Sequence, residues 1–250
     1  MNKAIIKNRF SKACKSYSES AVAQQMIASR LASLIGNIKT DKTDSVLEIG
    51  CGSGRLTQAI YDLYHPEKYI ANDLSANWEE QIKQIGNIEF ISGDAEKIDF
   101  KDNFDIIASA STFQWFSDFE SFCSKIRNNM HTNSLFAFST FIPGNFIEIK
   151  NLTGIGLEYL SFESIENILS KDYEIIYSNN ENIRLHFKTP YDVLNHLRQT
   201  GVTGITNFKW NKENLLDFYN KYNSEYKCRD MVTLTYIPAY FVARLKKESK

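Results

Sequence analysis

The sequence predicts a doubly wound α/β fold built on a mostly parallel sheet. Three observations lead there. Between positions 45 and 140, short apolar strand signals alternate with helix signals of roughly ten residues, the rhythm of a parallel sheet covered by helices on both faces. The first strand runs directly into Gly50-Cys51-Gly52-Ser53-Gly54, a glycine-rich turn at the strand end where such sheets bind ligands. The 250 residues are 43% hydrophobic and 24% charged, proportions of a packed globular chain and not of a disordered or fibrous one.

Residues 1–40 read as an N-terminal helical segment, with Ala21, Val22, Met26, Ile27, Leu31, Leu34 and Ile35 at helical spacing and Gly36 as the expected stop. Ser45–Ile49 is a buried strand and Leu56–Leu63 a helix. Tyr69–Ala71 is a strand ending at Asn72-Asp73, and residues 75–85 are helical. Ile88–Ile91 is a strand followed by the polar Gly93-Asp94-Ala95-Glu96. Phe104–Ala108 is a strand, 118–130 a helix, and Leu135–Thr140 a fifth strand. Crossovers between these strands are expected to be right-handed.

Beyond Thr140 the rhythm changes. Tyr173–Tyr177 and Ile183–Phe187 are strand-like; Thr189-Pro190 opens a helix over 190–199, closed by Gly201; residues 211–223 are helical. Met231–Val242 reads as one strand, with Pro238 marking an edge or a bulge. The expectation is a single domain over 1–250. Its core spans 41–142, and helical insertions at about 145–170 and 189–225 form a lid over the C-terminal edge of the strands.

Charge excludes some function classes. Lys plus Arg is 29, Asp plus Glu is 30, and the net charge is -1, which gives no general attraction to nucleic acid or to an anionic membrane. Cys14, Cys51, Cys123 and Cys228 form no Cys-x-x-Cys pair and no histidine cluster accompanies them, so neither a metal site nor a disulfide framework is expected. Lys3, Lys7, Arg9, Lys12 and Lys15 stand near the N-terminus without an apolar run, unlike a signal peptide. The longest uncharged stretch, 128–147, is rich in Asn, Ser and Thr and holds Pro143, unlike a membrane span. A soluble cytoplasmic protein, monomeric, is expected.

The glycine turn discriminates between nucleotide ligands. A dinucleotide fingerprint counted from Gly50 meets Arg55 at its third glycine position, and no Lys follows as a phosphate loop requires. Read with Glu48, the pattern E-x-G-x-G-x-G resembles the first motif of the class I S-adenosylmethionine-dependent methyltransferases. The resemblance implies their Rossmann-like, mostly parallel seven-stranded sheet. It also implies S-adenosylmethionine as cofactor and S-adenosylhomocysteine as product, held by Gly50, Gly52 and Gly54. Asp73, with the adjoining Leu74, would accept from the ribose hydroxyls. Asp94, with Ala95, would meet the adenine amino group. Ser109, heading the stretch Ser109 to Ser111, would lie beside the methionine moiety. Glu48 would meet the ligand through water or organise the loop. From the residues alone, the glycines also read as an ordinary tight turn and Asp94 as a helix cap or loop carboxylate.

Segments outside that signature carry a second resemblance. They are Arg9-Phe10-Ser11-Lys12-Ala13 with Ser16-Tyr17, Ser111-Thr112-Phe113-Gln114-Trp115, and Phe138-Ser139-Thr140-Phe141 with Asn145 and Glu148-Ile149. Leu197-Arg198-Gln199-Thr200-Gly201-Val202-Thr203-Gly204 and Leu234-Thr235-Tyr236 complete the set. Together they resemble the malonyl-acyl carrier protein O-methyltransferases of biotin synthesis over essentially the whole chain. Ser53 in place of the common Thr, and Asn77-Trp78, depart from that pattern. The resemblance implies methyl transfer to the free carboxylate of malonyl on an acyl carrier protein, or on coenzyme A. A carboxylate is already ionised at neutral pH and needs no general base, so holding it in line with the methyl suffices. His65, His131, His186 and His196 are accordingly expected to be structural or at the surface, not catalytic.

Four residues are candidates for the acceptor. Arg198 offers a bidentate guanidinium to the malonyl carboxylate; it also reads as a solvated helix-end cation. Tyr17 can bond the cofactor carboxylate or the acceptor, or simply pack the helix. Gln114 and Trp115 follow the fourth strand where an acceptor must pass, Trp115 lining a channel for the phosphopantetheine arm or filling the core. Arg9, Lys12 and Lys15 would face an acidic carrier protein or only solvent. Two other readings stay open: a methyltransferase for a small molecule such as a quinone precursor, which needs no carboxylate clamp, and a non-catalytic S-adenosylmethionine-binding module.

Overall fold

The computed structural model describes residues 3–201 and 210–246, without the side chains of residues 9, 12–16, 18 and 19. The basic cluster Arg9, Lys12 and Lys15 and the stretch Val202-Thr203-Gly204 therefore lie outside the described residues. The chain opens with helices α1 (Lys3–Ser20) and α2 (Val22–Ile38). Gly36 does not stop α2 as expected. It lies inside the helix facing Leu63, which an added Cβ would meet at 3.5 Å, and the last turn closes beyond it. The glycine serves close helix packing, not termination.

The alternating core follows: β1 (Ser45–Ile49), α3 (Arg55–Tyr64), β2 (Lys68–Asp73), a short turn at Ala76–Trp78 leading into α4 (Glu79–Lys83), β3 (Glu89–Ser92), β4 (Phe104–Ala110), α5 (Phe119–Ile126) and β5 (Met130–Phe141). Then come α6 (Ile147–Thr153), α7 (Phe162–Asp172), β6 (Tyr173–Asn180), β7 (Ile183–Phe187), α8 (Pro190–Gln199), α9 (Lys212–Glu225), β8 (Lys227–Cys228), β9 (Met231–Tyr236) and β10 (Pro238–Leu245). α8 starts cleanly because Thr189 and Asp192 form a reciprocal cap with Pro190 in the first turn.

The main sheet has seven strands in the order β3-β2-β1-β4-β5-β10-β6. β2, β1, β4 and β5 pair in parallel with their neighbours, and β10 runs antiparallel between β5 and β6. Consecutive residues of β1 feed opposite faces. Val46 joins Ile106, Ala108 and the α2–α3 side, while Leu47 and Ile49 join Ile107, Phe136 and the α5–α7 side. No helix among the described residues is long and apolar enough to cross a membrane.

Two sequence expectations need correction here. Met231–Val242 is not one strand. It divides at Ile237 into β9, in a separate three-stranded sheet β7-β9-β8, and β10, in the main sheet. Pro238 marks neither an edge nor a bulge; it is the first residue of an interior strand, where a missing N–H is tolerated, and the register shift falls at Val242/Ala243. The segment 145–170 also divides. α6 packs on α9 and β9, but α7 packs on α5, β6 and β10 as part of the helical layer, because Ile165 and Leu169 are buried there.

Candidate active site

The strand order reverses direction between β1 and β4, which opens a crevice at their C-terminal ends. Gly50, Gly52 and Gly54 turn the chain there with φ of +71°, +49° and +78°, conformations that favour glycine. A Cβ on Gly50 would sit 2.2 Å from Thr112 Oγ1, whereas one on Gly52 would meet nothing. The backbone N–H groups of Gly50 and Cys51 both donate to Asn72 O, at 2.8 and 3.0 Å. Gly54 begins α3 and abuts Ile82 and Ile85, so it shapes the loop from behind.

Asp73 ends β2 beside this turn. Gly52 N–H donates to its Oδ2 at 3.0 Å and Ser75 N–H to its Oδ1 at 2.8 Å. Burial pushes the carboxyl up to about 6, and those two N–H groups pull it partly back. Each oxygen keeps a lone pair for a ligand hydroxyl. Glu48 is buried, accepts the Tyr69 hydroxyl at 2.6 Å, and burial lifts its carboxyl up to about 7. It stands behind the loop, off the wall of the cavity that Asp73 faces.

That cavity is lined by Gly50, Gly52, Asp73, Leu74, Asp94 and Ala95, with Ser111 and Trp115 opposite. Its volume is about 110 Å³, below the roughly 300–1,000 Å³ usual for small-molecule sites, because α1 is drawn down over it. Lys3 Nζ pairs with Asp94 Oδ1 at 2.5 Å and with Glu96, and lies 5.3 Å from the Phe116 ring centre. Phe10 meets Trp115 edge-on at 5.6 Å, Tyr17 meets Trp78 at 5.8 Å, and the Ser11 and Ser75 hydroxyls are 2.9 Å apart.

Ser109 is not a cavity residue. It is the penultimate residue of β4, fully buried, and its hydroxyl donates to Ile49 O at 2.8 Å, so it clamps β4 to the end of β1. Ser111 takes the position expected of it. Its backbone is left-handed at φ +54°, and its buried hydroxyl has no partner. Strain and an orphaned polar atom together mark a site residue, and neither is written in local sequence. Gln114 also differs from expectation. Its Nε2 donates to Ser111 O at 2.5 Å and its Oε1 accepts from Thr140 at 3.2 Å, so it braces Ser111 and is not on the cavity wall.

The residues present fit S-adenosylmethionine. A carboxylate stands at the end of β2, another after β3, an orphaned hydroxyl after β4, and no lysine in the glycine turn calls for a phosphate.

Arg198 lies apart from this crevice. It is exposed on α8, its Nη2 donates to Asn195 Oδ1 at 2.7 Å, and it lines a second cavity of about 640 Å³. Tyr191, Leu194, Trp210, Asn145 and Tyr159 share that wall. Trp115 borders the crevice instead of this cavity. His196, two residues before Arg198, is buried; its Nε2 is 2.6 Å from Tyr236 Oη and burial lowers it to about 4, so it is neutral. The segment Leu234-Thr235-Tyr236 is an anchor: Leu234 is core, Thr235 gives its hydroxyl to Glu148 at 2.6 Å, and Tyr236 meets His196. Ser75 and Tyr159 escape sequence reasoning, and Lys3, Trp78 and Asn145 enter it without these contacts, since each acquires its partners only from residues distant in the chain.

The chain is similar to known methyltransferases. The family described as "Methyltransferase domain" matches residues 46–133, the β1–β5 region. The malonyl-[acyl-carrier protein] O-methyltransferase of Bacteroides thetaiotaomicron is 37% identical over 99% of this chain and 100% of its own length. The one of Porphyromonas gingivalis is 37% identical over 96% of this chain and 95% of its own. Among solved structures, the N-methyltransferase NodS of Bradyrhizobium japonicum, in complex with S-adenosylhomocysteine, superposes with a TM-score of 0.51 at 11% identity, covering 88% of this chain and 86% of its own; this likeness is of fold alone. The similarity to the two relatives covers nearly the whole length of each chain, and the chain therefore belongs to the malonyl-[acyl-carrier protein] O-methyltransferase family.

Proposed function

We propose that this enzyme transfers a methyl group from S-adenosylmethionine to the free carboxylate of malonyl-acyl carrier protein, or of malonyl-coenzyme A, giving the methyl ester that primes pimeloyl synthesis for biotin. The observation that carries the reading is the position of Arg198 on the wall of the 640 Å³ cavity. A planar, permanently charged fork there suits a carboxylate and has no use with a neutral acceptor.

When bound, S-adenosylmethionine supplies a methyl group on a cationic sulfur. Asp73 accepts from the ribose hydroxyls with both oxygens already aimed by Gly52 and Ser75. Asp94 and Ala95 take the adenine end; Gly50, Gly52 and Ser111 border the methionine end. Glu48 organises the turn through Tyr69. Tyr17 and Trp115 cover the crevice from outside. Arg198 orients the acceptor carboxylate, and no residue has to take a proton, because that carboxylate is ionised well below neutral pH. The carrier protein approaches by way of Arg9, Lys12 and Lys15. The protein acts as a cytoplasmic monomer, a setting in which the free thiols of Cys51, Cys123 and Cys228 persist.

The test is a methylation assay with malonyl-carrier protein, malonyl-coenzyme A and a quinone precursor side by side. Methyl ester formation on a malonyl thioester is expected. Methylation of the quinone precursor alone would overturn the reading.

A further inference from the structure

We infer that the 640 Å³ cavity between α6, residues 154–159 and α8 seats the thioester arm of the acceptor, with Tyr159 and Asn145 as its inner polar end. The inference rests on the methyl-transfer reading above and deepens it by assigning the acceptor its own site.

The volume falls within the range of small-molecule sites. The walls are mostly apolar, with Ile149, Ile155, Leu157, Leu194, Leu197 and Trp210 among them, which suits the methylenes of a pantetheine chain. Polar groups occur at two levels. Lys150 and Arg198 are exposed on the wall, Arg198 to meet the acceptor carboxylate and Lys150 to meet a phosphodiester. Asn145 is 4% exposed and marks the inside.

The hydrogen bonds at that inner end have a fixed direction. Ile237 N–H donates to Asn145 Oδ1 at 3.2 Å, which settles which end of the amide is oxygen. Asn145 Nδ2 must then donate to the Tyr159 oxygen, at 2.8 Å. Tyr159 therefore keeps its own proton to donate, and burial raises its pKa so that the proton stays on. Tyr159 is on the cavity wall, and a preset, neutral O–H there is a receptor for a carboxylate or thioester oxygen. The amide that sets it is anchored at Ile237, where β9 and β10 part company, and so belongs to the rigid frame.

This inner end lies next to the cofactor crevice. Tyr236 is fully buried between Phe141, Phe146 and His196, Phe146 is also on the wall of the 640 Å³ cavity, and Tyr17 and Tyr159 both pack against the core cluster that holds Tyr236. Tyr17 in turn borders the cofactor cavity.

Two substitutions test the assignment, each with malonyl-phosphopantetheine (long arm) and malonyl-N-acetylcysteamine (short arm) as acceptors. Gly156→Leu adds bulk to the wall without backbone strain. An added Cβ there meets only Lys150, at 3.5 Å or beyond, so folding should be retained. It should raise KM for the long-arm acceptor about tenfold or more and shrink the wild-type preference for the long arm over the short one. Tyr159→Phe removes only the donor and should lower kcat/KM for both acceptors about ten- to a hundredfold, the scale of one buried hydrogen bond. Affinity for S-adenosylhomocysteine by calorimetry should stay within about twofold in both variants, because the cofactor cavity is untouched. An unchanged long-arm KM and preference in Gly156→Leu, or unchanged kcat/KM in Tyr159→Phe, would overturn the cavity assignment while leaving methyl transfer standing. A wild-type enzyme that methylates neither malonyl thioester would bring down the functional reading and the inference with it.

Discussion

At the ends of β1 and β2 the polar groups are held by backbone: Asp73 takes N–H groups from Gly52 and Ser75, and the glycine turn hangs on Asn72 O. On α8, the one side-chain partner of Arg198 among the described residues is Asn195, one turn away on the same helix. The first region is built from parallel strands buried on both faces. The second is built from α6, α8 and α9 with the small sheet β7-β9-β8, and it leaves Tyr191 and Leu216 more than half exposed. A site whose ligand is always the same benefits from a rigid, backbone-defined frame. A site that must admit an arm attached to another protein needs a wall that can yield and a cation free to swing.

The largest expected effect tests the yielding side. Arg198→Ala should cut malonyl-carrier methylation a hundredfold or more, roughly 3 kcal/mol in barrier terms, with affinity for S-adenosylhomocysteine nearly unchanged. Arg198→Lys should not rescue it, since the planar fork is lost. Near-normal turnover in a single-turnover assay would make Arg198 a plain helix-end cation and erase the contrast between the two regions.

The rigid side should fail differently. Asp73→Ala removes two charge-assisted contacts and should weaken cofactor binding by roughly 2–4 kcal/mol, while leaving the KM for the malonyl acceptor little changed at saturating cofactor. Calorimetry showing wild-type affinity would refute the assignment of Asp73.

pH separates the regions further. The Asp73 carboxyl is raised by burial to about 6 from an ordinary value of 3.8. The folded state therefore binds its proton more readily than the unfolded chain does. On this account alone the free protein should gain stability as pH falls through about 6 towards 4, a gain that His196 opposes, because burial lowers its imidazole to about 4 and the unfolded chain takes that proton first. Binding of the cationic cofactor should weaken over the same window, because the ligand needs the ionised carboxylate; Glu48, raised to about 7, acts in the same direction on stability. The expected signature is a difference between wild type and Asp73→Asn: the variant should lose both the Asp73 share of the stability gained below pH 6 and the fall in cofactor affinity over the same window. Identical pH profiles in wild type and Asp73→Asn would show that burial does not set the Asp73 carboxyl.

The smallest effect concerns the bridge between the regions. Lys3 occupies Asp94 and Glu96 at the expected adenine end, and α1 also reaches α8 through Ser20 and Gln199. Lys3→Ala should free Asp94 and tighten S-adenosylhomocysteine binding a fewfold, about 1 kcal/mol or less for a partly exposed pair. A weaker complex in that variant would mean that Lys3 serves the ligand directly.

The glycine turn, Asp73 and Asp94 could be recognised from sequence because each follows a strand signal directly, and adjacent parallel strands bring their ends together without further information. Strand bounds were less legible. Ser109 looked like a residue past the strand because Phe104–Ala108 carries the apolar run, but pairing with β5 extends β4 to Ala110 and moves the loop position to Ser111. Gly36 looked like a stop because helix signals cannot distinguish a terminating glycine from one that lets Leu63 approach.

What the sequence by itself determined is the parallel core, the glycine turn at the end of its first strand and the cation-bearing helix after Thr189, since periodicity, glycine turns and caps act over a few residues. What only the tertiary structure decided is where distant residues meet. Lys3 reaches Asp94 across 91 positions, Thr235 reaches Glu148 across 87 and Ile237 reaches Asn145 across 92. The run Met231–Leu245 serves two sheets because it parts at Ile237. Such choices depend on which buried polar group finds a partner once the layers close, and local propensity holds no record of that pairing.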